Sequence, residues 1–170
     1  MHIPNICCTF APQTNLNHDT MYTRLFTPER ITELQDNEIF VFGSNLAGAH
    51  GGGAARMAYE SFGAVWGQGV GLQGHSYAIP TMQGGVGTIA PYVDQFIAFA
   101  QAHPEYTFLV TPIGCGIAGF TPEDIAPLFA HTIHIDNILL PESFAQIINA
   151  DFAHFCDSFD HDADRNASNW

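Results

Sequence analysis

The run Glu-Ile-Phe-Val-Phe-Gly at residues 38–43 limits the fold more than any other feature of this chain. It is β-branched and aromatic without a polar interruption, which is the pattern of a strand covered on both faces; a strand with one wet face alternates. Thr107 to Gly114 (TFLVTPIG) repeats the pattern, and Ser76 to Pro80 and Asn137 to Leu140 supply two shorter strands. Helices are expected between them. Gly51 to Ala64 carries an apolar stripe at Ala54, Met57, Ala58 and Phe62, with Gly63 as its C-cap candidate. Ile89 to Ala102 places Ile89, Val93, Phe96, Ile97 and Ala100 on one side. Thr121 and Pro122 open a third helix that Pro127 shortens or kinks, and Pro141 and Glu142 open a fourth. Met21 to Phe26 is a candidate edge strand and Pro28 to Leu34 a candidate short helix. Alternation at this spacing predicts an α/β domain with a largely parallel sheet.

The 170 residues suit one domain, and 46% hydrophobic content is ample for its core. Residues 1–20 read as an arm, 21–156 as the domain and 157–170 (DSFDHDADRNASNW) as an acidic, disordered tail. The chain has no Lys and four Arg against seventeen acids, a formal charge of -13. Nucleic-acid binding is not expected, because it needs clustered cations to displace counterions. Neither a leader nor an apolar run long enough for a membrane span is present, so a cytoplasmic location is expected. Cys7, Cys8, Cys115 and Cys156 show no disulfide or zinc spacing and read as reduced thiols. His131 and His134, three apart, read as exposed residues after a helix rather than a metal pair, and no cofactor is expected.

Two glycine-rich loops follow the two longest strands: GSNLAGAHGGG, Gly43 to Gly53, and GCGIAGF, Gly114 to Phe120. In an open α/β sheet both positions face the ligand, at the carboxyl ends of the strands. Loops that lead into helices offer unpaired amides to an anion, and two of them suggest a ligand with two phosphates. A P-loop is excluded because neither loop has the Lys and hydroxyl of GxxxxGK[ST]. The dinucleotide fingerprint fails on spacing and lacks its ribose-binding acid. The plain alternative is that these glycines only make tight turns.

The order of IFVFGSN, LAGA, HGGGAARMAYESFGA, HSYAIP and IGCGIAGFTP resembles the macro domains, a family of ADP-ribose-binding modules and ADP-ribose-processing hydrolases. The likeness spans residues 29–130, and its interval from Asn45 to Gly63 has the family's length without a gap. It implies a three-layer α/β/α domain with a mixed, largely parallel central sheet. It also implies ligand contacts from Ser44, Asn45, Gly51, Gly52, Gly53, Gly114, Cys115, Gly116, Ile117, Ala118, Gly119 and Phe120. Asn45 would orient the distal ribose, Gly114 to Phe120 would wrap the phosphates, and Phe120 would lie near that ribose. Backbone amides would hold the pyrophosphate, so few cations are required.

Three departures bear on chemistry. Ala55 stands where the hydrolase branch has its catalytic Asp, and Arg30 where the family has its adenine-selecting acid, with Glu29 and Asp36 as substitutes nearby. The segment TMQGGVGTIAPYV replaces the family's next strand segment, around Gln83. His50 opens the glycine run and is a candidate general acid or base beside Asn45. Cys115 lacks a partner as a nucleophile, Tyr77 and Phe42 read as core, and Gln73 would either reach a ligand hydroxyl or brace a turn. The expected function is binding of ADP-ribose or a related nucleotide diphosphate-ribose. Hydrolysis at the distal ribose, through Asn45 and His50, stands against a non-catalytic sensor. A third alternative is an acidic surface that docks a basic protein.

Overall fold

A computed structural model describes residues 26–150. The expected arm, the acidic tail and nearly all of the candidate strand 21–26 lie outside them. β1 (Glu38–Ser44) is the central strand, parallel to β3 (Ser76–Pro80) on one side and to β4 (Thr107–Val110) on the other. β5 (Ile138–Leu139) continues in parallel beside β4, and β2 (Gly71–Gln73) closes the opposite edge antiparallel to β3. The sheet order is β2-β3-β1-β4-β5. β2 is an addition to the expected strands. Its three residues start at one left-handed glycine, Gly71 (φ 84°), and stop before another, Gly74 (φ 56°), and carry no period to read.

Alternation along β1 decides the layers. Ile39 and Val41 enter one core, while Phe40 and Phe42 enter the other. The first core takes Val93 and Phe96 from α2 (Val86–Ala102), Phe129, and Phe144 and Ile148 from α4 (residues 142–150). The second takes Ala55 and Ala58 from α1 (Gly53–Ser61), with Phe62 and Ile31. The result is a three-layer α/β/α fold, and it explains why no polar residue interrupts residues 39–42: water reaches neither face.

α1 turns most of the expected stripe inward, Ala54, Ala58 and Phe62, but replaces Met57 by Ala55. Ala55 and Ala58 are buried and Met57 is exposed. With Phe40, Phe42 and Phe62 already filling that face, the space left over fits methyl groups and not a thioether chain. α2 begins three residues before the expected start and otherwise buries the expected side. α3 (Pro122–Ile125) gives way to a 3-10 segment (Ala126–His134), as Pro127 lacks the N–H for a fourth-neighbour bond. Residues 28–34 are not helical. Thr27 is tied instead to the β5 edge, its amide donating to the Leu140 carbonyl (2.8 Å) and its hydroxyl to the Leu139 carbonyl (2.7 Å). From there Ile31 reaches the second core. No helix among the described residues is long and apolar enough to cross a membrane.

Candidate functional site

The chain leaves β1 for β3 through α1 on one face, then crosses back from β3 to β4 through α2 on the other. The sheet therefore has its switch point at β1, where diverging loops open a crevice at the carboxyl ends of the strands. The strand ends are knitted closely. The Thr81 amide donates to the Ser44 carbonyl (2.9 Å), and the Thr111 amide and hydroxyl both donate to Val41 (3.0 and 2.8 Å). A Cβ on Gly43 would stand 3.3 Å from the Gly114 nitrogen, so the two glycine loops start almost in contact.

A cleft of about 530 Å³ opens there. Its walls include Asn45 and Gly51 to Gly53 from the first loop and Gly114, Gly116, Ile117 and Ala118 from the second. The expectation that both loops face one space thus holds for these residues and for Ser44. Cys115, Gly119 and Phe120 do not line the cleft. Phe120 packs beneath its own loop, with its ring against the place a Gly114 Cβ would take, and Cys115 packs on the first core. Burial pushes the Cys115 thiol up, and the carboxylates of Asp124 and Glu123 push it further, so it stays protonated at neutral pH.

Asn45 closes its own loop. Its Nδ2 donates to the Ala49 carbonyl (2.9 Å) while its Oδ1 accepts from the Ala49 amide (3.0 Å). One amide hydrogen and one lone pair remain for a ligand. Ser44 lines the cleft by position, but its hydroxyl donates to the Gly69 carbonyl.

His50 corrects the expectation of an acid–base group beside the ribose. The ring is turned inward, 1% exposed, and does not line the cleft. Its Nε2 lies 3.1 Å from the carbonyl oxygens of Val65 and Gln68, which can only accept, so Nε2 carries the proton. Nδ1 has no partner. The ring packs edge-on to Phe42 and Trp66, at 5.3 and 6.3 Å between centroids. The cause lies in residues 64–70, which lie against the first loop. Gly67 donates to the Gly48 carbonyl (2.9 Å), and Cβ atoms on Gly48 or Gly69 would overlap backbone at 2.3 and 2.1 Å. Only glycine lets these two segments meet, and their closure leaves His50 no path outward. Gln73 braces the same segment, accepting from the Val65 amide and donating to the Gln68 carbonyl (3.1 Å).

Trp66, Thr81 and Met82 complete the cleft and escaped the sequence reading. The usable signal was a tryptophan in a glycine-rich segment, AVWGQG, where a core side chain is out of place. Gln83 folds back onto its own turn, its Nε2 donating to the Pro80 carbonyl (3.0 Å). No family model, curated protein or solved structure matches this chain.

None of the described residues that line the cleft has a titratable side chain. Ala55 contributes only a methyl group. Three hydroxyls, one carboxamide and the loop backbones are the polar groups, rimmed by Trp66, Met82 and Ile117. Such a surface can orient a sugar and hold phosphate oxygens on amides. It offers no side chain to carry a proton.

Proposed function

We propose that this chain is a macro-like module that binds ADP-ribose or a related nucleotide diphosphate-ribose, without turning it over. The pyrophosphate lies between residues 51–53 and 114–118, and Asn45 orients the distal ribose. One observation carries the reading. Gly51, Gly52 and Gly116 line the cleft, none has a left-handed φ, and a Cβ on any of them would meet no atom of the described residues within 4 Å. Neither the backbone nor the protein's own packing accounts for glycine there, and close approach of a ligand to the main chain does. Gly52 is also the N-cap of α1 and has no side-chain cap bond, so the first turn keeps amides to offer.

The neutral lining, Ala55 and the inward His50 favour the sensor over the hydrolase. Calorimetric titration with ADP-ribose, with AMP and ribose 5-phosphate as controls, tests the reading; no heat at millimolar ligand removes it. Asn45→Ala is expected to weaken binding about tenfold, the cost of one hydrogen bond to a buried sugar hydroxyl. Turnover of ADP-ribose 1''-phosphate that is lost in Asn45→Ala would restore the hydrolase.

A further inference from the structure

The cleft does not end at its glycine loops. Gly53, Ala54, Thr111 and Pro112 line it and also line a second cavity of about 850 Å³, walled by Phe26, Arg30, Phe40 and Met57. The groove is therefore two chambers that meet at these four residues, with both glycine loops lining the first, and it has more room than one nucleotide and a bare sugar require. Trp66 lines the first chamber together with Asn45 and Gly51 and does not line the second. It is 57% exposed, yet its surroundings fix it. The carbonyls of Val65 and Gln68 on either side hold the His50 Nε2, and the Gly67 amide is bonded to Gly48. Tyr59 and His50 lie at 72° and 76° to the indole, so among the described residues no aromatic ring is stacked parallel to it.

A rigid indole open beside the sugar end suits a planar ring on that sugar. A chain of net charge -13 also favours a ring that carries positive charge, which an indole face attracts. We infer that the occupant is an intact pyridinium dinucleotide: one nucleoside in the second chamber, the pyrophosphate on the loops, and the nicotinamide on Trp66. This rests on the reading of the cleft as a nucleotide diphosphate-ribose site.

Titration of the full chain, with Trp170→Phe so that indole fluorescence reports Trp66 alone, separates the two. Oxidised nicotinamide adenine dinucleotide should quench and bind about tenfold tighter than ADP-ribose, within the range for stacking one base. The reduced form should bind more weakly than the oxidised form. Trp66→Leu should bring oxidised dinucleotide and ADP-ribose within about twofold, and Trp66→Phe should keep part of the preference, as stacking requires. Saturation-transfer NMR from the indole to the nicotinamide protons needs no variant at residue 66. Equal binding of dinucleotide and ADP-ribose, or an unchanged preference in Trp66→Leu, overturns the inference and leaves the ADP-ribose reading standing. Failure of both ligands to bind overturns both.

Discussion

Gly116→Ala separates a glycine kept for a ligand from one kept for the fold. At Gly116 a methyl group meets no atom of the described residues within 4 Å and φ is not left-handed. Replacing glycine by alanine at such a site reduces the freedom of the unfolded chain and stabilises by about 0.4–1 kcal/mol. For a protein of this length that is a rise in Tm of roughly 1–4 °C. The same methyl stands where a phosphate oxygen would approach the backbone, and crowding of about 1–3 kcal/mol lowers affinity roughly 5- to 150-fold. Gly69→Ala is the opposite control, because its Cβ would lie 2.1 Å from the Asn45 carbonyl oxygen and 2.9 Å from the Leu46 carbonyl. Backbone must move, and a loss of about 2–3 kcal/mol lowers Tm by at least about 5 °C. Scanning calorimetry and titration with ADP-ribose, run on both variants, give the answer. Wild-type affinity in Gly116→Ala, or a Tm loss as large as that of Gly69→Ala, refutes the reasoning.

Further outcomes concern the buried His50 and the partly buried Cys115. His50→Ala removes a ring wedged between Phe42 and Trp66 and two bonds to carbonyls that each keep another donor, Gln68 N on Val65 and Gln73 Nε2 on Gln68. The void dominates, and urea unfolding should show a loss of about 2–4 kcal/mol; unchanged stability would mean that the ring is not a wedge. The raised Cys115 thiol binds its proton more tightly folded than unfolded, so the stability it contributes is present below the ordinary thiol range and fades as pH rises through the folded value. Iodoacetamide should modify Cys115 slowly at neutral pH, in a Cys7→Ser, Cys8→Ser, Cys156→Ser background, and rapidly only in alkali. Fast alkylation at pH 7 contradicts the assignment.

The layers were legible because both-face burial leaves a short strand apolar at every position and rich in β-branched and aromatic residues. Residues 39–42 alternate between two cores and are apolar at every position. The two-loop cleft was legible for a related reason: parallel strands end on the same side, so glycine runs after β1 and β4 had to meet. The direction of His50 was not legible. It depends on carbonyls at 65 and 68, which reach it only after Gly48 and Gly69 let two backbones touch, and no local pattern encodes that approach. Phe120 failed likewise, because the hollow it fills lies beside Gly114 and Ile125 in space, not in sequence. The α1 stripe misled because Met57 and Ala55 compete on volume, which hydrophobic periodicity ignores.

The uncharged cleft lies within a chain of net charge -13, and this has a kinetic consequence. Most proteins that seize phosphates draw them in with a cationic field, and added salt slows the encounter. On the proposed reading the far field would push a dianion away and contact at the amides alone would hold it. Salt, by screening that repulsion over roughly 10 Å, should quicken association while leaving the escape rate nearly untouched.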